Sequence, residues 1–209
     1  NSSINTVIMN FLSIDCSTNI GSLFIKAENK TFSKILQSDK FNNDLLMKQI
    51  LDFFQENKLE FNHISFIFVN QGPGNFSSLR GSLATAKGIS LSKNLKLFGY
   101  NTFLWSCVNH FNKKNSILSL ISFREKYFVK EFNKDLKSIS NAEEIDEEKI
   151  VKKYNNKLKI IPKNMIKYFD KKILELDNIS VVNLDHNNLE FLQIRGLLDK
   201  DLIKPLYLG

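Results

Sequence analysis

Histidine is scarce in this chain, with three in 209 residues. They stand at positions 63, 110 and 186, and none is within four residues of another. A chelating pair on one helical face needs two imidazoles three or four residues apart. A helix-borne metal centre is therefore excluded, and His63, His110 and His186 read as ordinary surface or core residues with no metal site. Cysteine is scarcer still: Cys16 and Cys107 lie far apart, with no C-x-x-C partner. That pattern suits free, buried thiols in a reducing compartment, a disulfide being the less favoured reading. The nucleophile motif G-x-S-x-G is missing. So are G-x-x-x-x-G-K-[ST] and G-x-G-x-x-G, and the standard phosphate-loop and dinucleotide readings fail with them. No apolar run approaches the roughly 20 residues of a membrane-spanning helix. No charged start, apolar stretch and cleavage site mark a secretory signal. A soluble cytoplasmic protein without membrane contact is expected.

What is present is close to the globular average, with 43% hydrophobic and 24% charged residues, enough to bury one large core or two smaller ones. The net charge is +7, which can attract an acidic partner such as tRNA. Lysine is spread almost everywhere, however, and a solvated surface is the favoured reading of any single cluster. The densest cluster is Lys149 to Lys172, beside the acidic run Glu143 to Glu148. Residues 1–8 are polar and unpatterned and read as an extension. Phe11 to Asp15, Ile20 to Ala27 and Lys30 to Leu36 read as three strands in an antiparallel meander. Residues 42–57 read as a helix, with Asn42, Asn43 or Asp44 available as its cap. At 100° per residue, Leu46, Met47, Ile50, Leu51, Phe53 and Phe54 cover an arc of roughly 160°, wider than a one-sided surface helix needs. Either the helix is deeply buried or it touches more than its own sheet. Ile64 to Val69 is a continuous apolar run, the pattern of a strand covered on both faces.

That strand leads into "NQGPGNFSSLRGSLATAKG", Asn70 to Gly88, which holds four of the chain's eight glycines. Gly72 and Gly74 around Pro73 make a tight turn, and Ser77 or Ser78 can cap the helix that follows to Ser92. Gly81, Ala84, Thr85, Gly88 and Ser92 share one side of that helix. Glycine inside a helix costs about 1 kcal/mol against alanine, so two on one side point to another backbone packed unusually close. Leu95 to Tyr100 reads as a strand, Phe103 to Phe111 as a helix, and Ser116 to Ser122 and Tyr127 to Asn133 as two further strands. From Glu143 to Met165 the chain is charge-rich and poorly patterned. Val181 to Leu184 reads as a late strand and Asn187 to Leu198 as a final helix. Strands alternating with helices make the class α/β.

"FLSIDCSTNIGSLFI", followed by "NQGPGNFSSLRGSLATAKGIS", resembles the bacterial TsaB (YeaZ) family, and the ending "KPLYLG" is similar to the family's terminal P-x-Y-L. The firm matches run from Met9 to Thr102. Ser78 stands where the family usually has glycine, Asn75 where it usually has serine, and "SLISFRE" where it usually has "AIDAR", without the carboxylate at Ser122. The resemblance implies an actin-like (ASKHA) fold of two RNase-H-like lobes, residues 9–101 and 102–209, and leaves open that the final helix packs back on the first lobe. It also implies a non-catalytic scaffold in the complex that makes threonylcarbamoyl-adenosine in tRNA. Its partners would be a TsaD-type transferase, a TsaE-type ATPase, tRNA through the complex, and a second copy of itself as a homodimer when alone. The partner interface implied is Leu46, Met47, Ile50, Leu51 and Phe54 on one helix and Gly81, Ala84, Thr85 and Gly88 on the next. Asp15, Ser17, Thr18, Gly72, Pro73, Gly74, Phe76 and Arg80 carry the family motifs. These are the residues near any nucleotide: no cofactor bound by the chain alone, with room for ATP or ADP at the partner interface.

The alternative is an independent small-molecule kinase or ATPase of the actin-like superfamily that uses Asp15 and the Gly72 to Arg80 turn. No second acidic residue is identifiable to complete a metal-nucleotide site. Asp15 is therefore read first as the acceptor that caps its own turn, and Arg80 as a group held by a carboxylate or reaching toward a partner.

Overall fold

The computed structural model describes residues 9–36, 43–201 and 203–208, with Asn43 and Asp44 described by backbone alone. The expected extension over 1–8 and the proposed caps of the first helix lie outside the described residues or side chains. The chain divides into two units. The first holds residues up to Gly99 together with Asp199–Pro205, and the second holds Tyr100–Leu198 with Leu206–Gly209.

In the first unit, β1 (Phe11–Asp15), β2 (Gly21–Ala27) and β3 (Lys30–Leu36) form the antiparallel meander. Then β4 (Phe66–Asn70) runs parallel to β1, and β5 (Lys96–Tyr100) lies beside it, giving the order β3-β2-β1-β4-β5. Both faces of the central strands are covered, as the apolar run of β4 requires. Leu12, Ile14, Ile67 and Val69 join the core shared with the helices α1 (Asn43–Glu56) and α2 (Phe76–Lys93). On the alternate positions Phe11 stacks on Phe24 and meets Phe68 at a tilt, and Phe68 meets Phe98.

The second unit repeats the same plan. Here β6 (Ser116–Phe123), β7 (Lys126–Asn133) and β8 (Glu143–Ile145) form a meander. Next, β9 (Leu158–Pro162) is parallel to β6, and β10 (Ile179–Val182) is parallel to β9. Its order, read from the meander edge, is β8-β7-β6-β9-β10. The two sheets thus have one topology used twice. The helices here are short: α3 (Thr102–Ser106), α4 (Glu147–Lys153), α5 (Lys171–Leu174) and α6 (Leu189–Ile194).

The poorly patterned stretch from 143 to 165 is where the sequence reading found no elements and the structure has β8, α4 and β9. Strand β9 hides because Lys159 interrupts its apolar run, yet Lys159 is 1% exposed. Burying an ammonium is costly unless its protons are all met. Lys159 Nζ donates to the carbonyls of Tyr154 (2.7 Å), Lys157 (2.8 Å) and Asn155 (3.4 Å), tying the turn before β9 to the strand itself.

The chain returns to the first unit at its end. Gly99 and Asp199 exchange backbone hydrogen bonds of 2.8 and 3.0 Å. Gln71 Nε2 donates to Asp199 Oδ2 and to the Lys204 carbonyl, both at 3.0 Å. Ile203 enters the first unit's core. Glycine at position 99 leaves room for this: a Cβ there would fall 2.5 Å from the Gln71 side-chain amide and push it off these partners.

Replacing Lys159 by Met takes the donor away from the carbonyl of Tyr154, a buried residue, and from the partly covered carbonyls of Lys157 and Asn155. At roughly 1–3 kcal/mol for a buried group left unpaired, urea denaturation should show a clear loss of stability, on the order of 2–4 kcal/mol. A change within error would mean that water replaces the ammonium.

Candidate functional site

The two motifs singled out in the sequence meet at the C-terminal ends of β1 and β4. Asp15 Oδ1 accepts from Ser17 N (3.0 Å), Ser17 Oγ (2.6 Å) and Asn70 Nδ2 (3.1 Å). Asn70 Oδ1 in turn accepts from Gly72 N at 2.8 Å. Asp15, Ser17, Asn70 and Gln71 are all buried, so this is a closed polar cluster in which each bond reinforces the next. Gly72 has φ 118°, a conformation that only glycine adopts at little cost. At Gly74 a Cβ would lie 2.4 Å from the Ser17 carbonyl oxygen. The Gly-rich turn and the turn after β1 are therefore pressed backbone to backbone, and Pro73 is enclosed between the two glycines. Thr18 lies outside the cluster, its Oγ1 donating to the Ile20 carbonyl at 2.8 Å.

Helix α2 is capped two residues before Ser77, the earlier of the two serines. Asn75 Oδ1 accepts from Ser77 N at 3.1 Å and from Ser77 Oγ at 2.9 Å, because an amide oxygen at the N-cap reaches the free N–H two residues on. Ser77 thus supports the cap rather than making it. Asn94, with φ 53°, ends the helix in the left-handed conformation that asparagine tolerates. Arg80 has no carboxylate at its side among the described residues; its guanidinium lies 5.2 Å over the ring of Phe76. Asn70 and Gln71 received no role from the sequence, although a polar pair ending a buried apolar strand was a signal that something there must bond to them.

The wide arc of α1 is resolved residue by residue. Leu46, Ile50, Phe53 and Phe54 are enclosed in the first unit's core, while Met47 is half-buried and Leu51 is 46% exposed. The surplus of the arc is its outer edge. On α2, Gly81 is buried together with Leu79, Ser82, Leu83, Ala86 and Ile89. Ala84 and Gly88 are exposed and Thr85 is half-buried. A Cβ at Gly88 would meet nothing within 4 Å. Leu91, one turn on from Gly88, is 85% exposed, and Phe76 is 50% exposed. Leu91 is thus a large apolar group left in solvent beside the bare helix backbone at Gly88, and Phe76 is another at the opposite end of α2.

Elsewhere the titratable groups have structural partners. His63 Nδ1 accepts from Glu60 N at 2.9 Å, and its Nε2 lies 3.7 Å from Glu28. His186 packs against Trp105. His110 is half-buried with Nε2 3.5 Å from Ser180 Oγ, and its Nδ1 is buried without a hydrogen-bond partner. Burial, helped by Lys113, lowers its pKa. Burial pushes the Cys107 thiol up to about 12 and raises Cys16 further, so both thiols are inert at neutral pH. No group of three or more His, Cys, Asp or Glu among the described residues is placed to hold a metal. No helix among them is long and apolar enough to cross a membrane. In the segment from Lys149 to Lys172, Lys152, Lys157, Lys171 and Lys172 face Glu148, Glu131, Glu175 and Glu147. With Lys159 sealed by carbonyls, much of that segment's charge is spent inside the protein.

Two sheets of one RNase-H-like topology, each in its own unit, define an α/β protein of the actin-like class. A family model described as "TsaD: tRNA N6-adenosine threonylcarbamoyltransferase" matches residues 38–180, more than half of the chain. The chain belongs to this family, on its TsaB/YeaZ branch. Two relatives are named "tRNA threonylcarbamoyladenosine biosynthesis protein TsaB". The one from Buchnera aphidicola subsp. Baizongia pistaciae (strain Bp) is 32% identical over 91 residues, which is 43% of this chain and 40% of that protein. The one from Buchnera aphidicola subsp. Acyrthosiphon pisum (strain APS) is 23% identical over 154 residues, or 71% of this chain and 70% of that protein. The chain thus matches less than half of the length of the first relative. Two solved structures share the fold. The structure of YeaZ from Pseudomonas aeruginosa aligns with TM-score 0.69 over 96% of this chain and all of that one, at 12% identity. A Pseudomonas aeruginosa protein described as similar to peptidase YEAZ aligns with TM-score 0.71 over 97% of this chain and all of that one, at 13% identity.

Asp15→Ala leaves three donors without their acceptor, and Gly74→Ala forces two backbones apart. Each should lower stability by about 1–3 kcal/mol, read from the urea midpoint. Asp15→Asn, which keeps an acceptor oxygen, should lose less. An Asp15→Ala variant as stable as the parent would remove this cluster from the fold's support. His110 gives a pH signature. Its folded pKa is depressed, so the unfolded chain binds more protons as pH falls below the ordinary value of about 6.5. Stability should be fully present above that value and decline as pH falls toward the folded pKa. The urea midpoint of His110→Phe should show less of that decline.

Proposed function

We propose that the chain is a non-catalytic scaffold subunit in the biosynthesis of threonylcarbamoyl-adenosine in tRNA, and that it docks on a TsaD-type transferase through α1 and α2. The observation that carries this reading is the uncovered outer side of the helix pair: Leu51 and Leu91 in solvent, Met47 half-covered, and the α2 backbone open at Gly88. Exposed apolar groups beside a bare helix backbone suit close helix packing by a second polypeptide. Leu46, Ile50, Phe54 and Gly81 would support that surface from beneath, since they are buried in the first unit. The names of the relatives support the pathway.

In this reading a TsaE-type ATPase and tRNA are reached through the complex, and ATP or ADP sits at the partner interface rather than on the chain alone. The engagement of Asp15 Oδ1 by three donors speaks against an independent kinase that would need this carboxylate for a metal-nucleotide.

Calorimetric titration with the TsaD-type transferase tests the proposal. Gly88→Trp fits freely in the isolated chain, because nothing lies near its Cβ, yet it should block a close helix contact. Leu51→Asp places a charge in the same contact. Each should weaken binding at least tenfold, about 1.4 kcal/mol, with unchanged circular dichroism. Unaltered affinity for both variants would refute docking through these helices.

A further inference from the structure

We infer that the second unit carries an RNA contact of its own: the two loops at the open end of the β6–β7 hairpin, with Arg195 beside them, hold the phosphate backbone of an RNA strand. The inference goes beyond the docking reading, which brings tRNA to the chain only through the complex, and does not depend on it.

The loops are residues 111–115, before β6, and 133–138, after β7. Ser116 faces Asn133 at the end of the strand pair. Beyond that pair, Asn112 N donates to the Lys134 carbonyl at 2.7 Å and ties the two loops together. Both are held in shape. Asn133 Oδ1 accepts from Asp135 N and Lys137 N, each at 3.0 Å, and the buried Leu136 pins the second loop to the core. In the first, Lys113 N donates to the His110 carbonyl at 3.2 Å. From this frame Lys113, Lys114, Lys134 and Lys137 all stand exposed. Arg195, which caps the end of α6, joins them through Phe111. Its guanidinium lies 4.4 Å over the Phe111 ring and 3.9 Å over the Phe191 ring, and the residue stays exposed.

Among the described residues none of these five cations has a carboxylate within ion-pair reach. Asp135 is the one carboxylate within the two loops, and Glu131, close by on β7, is engaged by Lys157. The positive field here is thus set by a rigid frame and left without internal countercharge. A polyanion gains most from such a field, because it sheds its own counterions on binding.

The side chains exposed on the loops are Lys, Asn, Ser and one Asp, with nothing apolar among them. A protein contact needs an apolar centre, and a membrane contact needs apolar groups to insert. Ile139 and Ile194, exposed next to Ser138 and Arg195 in the chain, are too few for either. Asparagine amides and a serine hydroxyl, by contrast, bond readily to phosphate and sugar oxygens. The guanidinium of Arg195, packed on two rings and open to solvent, offers a plane on which an unpaired base can stack.

Fluorescence anisotropy of a labelled, unmodified tRNA transcript titrated with the isolated chain tests the inference, with the fold of each variant checked by circular dichroism. Five phosphate contacts give a log–log salt slope of about −4, so doubling the salt from about 0.05 M to about 0.1 M should weaken binding on the order of tenfold. Lys113→Gln/Lys134→Gln should weaken it at least tenfold at the lower salt and make the slope shallower by about two. Lys163→Gln/Lys167→Gln, which removes two exposed lysines past the opposite end of β9, should change affinity less than about twofold. Arg195→Lys keeps the charge but loses the plane, and should weaken binding several-fold at an unchanged slope. Equal losses in the two lysine pairs would overturn the inference, since attraction would then be diffuse. So would an absence of binding at the lower salt. Capture of phosphatidylserine vesicles in place of the transcript, lost in Lys113→Gln/Lys134→Gln, would reassign the loops to a membrane surface. None of these outcomes bears on docking through α1 and α2, which titration with the transferase reads separately.

Discussion

The first unit depends on two turns that touch without side chains between them. Gly74 can approach the Ser17 carbonyl only because it lacks a Cβ, and the approach is held by Asp15, which gathers Ser17 and Asn70 onto one oxygen. The ends of β1 and β4 are parallel neighbours, with Ile14 opposite Val69. The polar cluster therefore locks the register at the one end of the strand pair where helix α2 must start. Asn75, five residues beyond Asn70, is placed to cap that helix. The direction of α2, and with it the side that faces solvent, follows from this small cluster.

The first half of the fold was readable because its chemistry is local. The three-strand meander, the apolar run of β4 and the glycines of the turn each satisfy a short-range rule. Helix α2 was legible in extent, but its cap is Asn75 rather than Ser77 or Ser78, all three being residue types that can cap a helix. The second unit is harder to read for a physical reason. Lys159 is a charged residue inside a strand, and only a cage of three carbonyls from the preceding turn makes that tolerable. A one-residue pattern cannot announce a cage built by its neighbours. The short helices α4 and α5 add little periodicity, being seven and four residues long.

The candidate surface was legible in outline and blurred in detail. An over-wide apolar arc on α1 correctly signalled more burial than one sheet can provide, yet most of it is consumed by the first unit's own core. What remains is the edge at Met47 and Leu51. Two glycines on one side of α2 looked like one feature. One is enclosed and the other opens to solvent, because residues 20° apart on a helical wheel can still face different neighbours at the two ends of an 18-residue helix. Charge was invisible to the pattern altogether. Lys48 of α1 and Lys152, Lys157, Lys171 and Lys172 of the 149–172 segment face carboxylates, whereas Lys87 and Lys93 of α2 have none within ion-pair reach among the described residues.

The return of the chain to the first unit bears on how the protein is born. Residues up to Gly99 complete the five strands of the first sheet, but Ile203, which sits among their core side chains, and Asp199, which pairs with the backbone of β5, arrive about a hundred residues later. Synthesis runs from the amino end at roughly 5–20 residues per second. The first unit therefore waits several seconds on the ribosome with an unplugged hydrophobic hole, while the second unit is made in full. A segment translated about a hundred residues later closes the first part to fold.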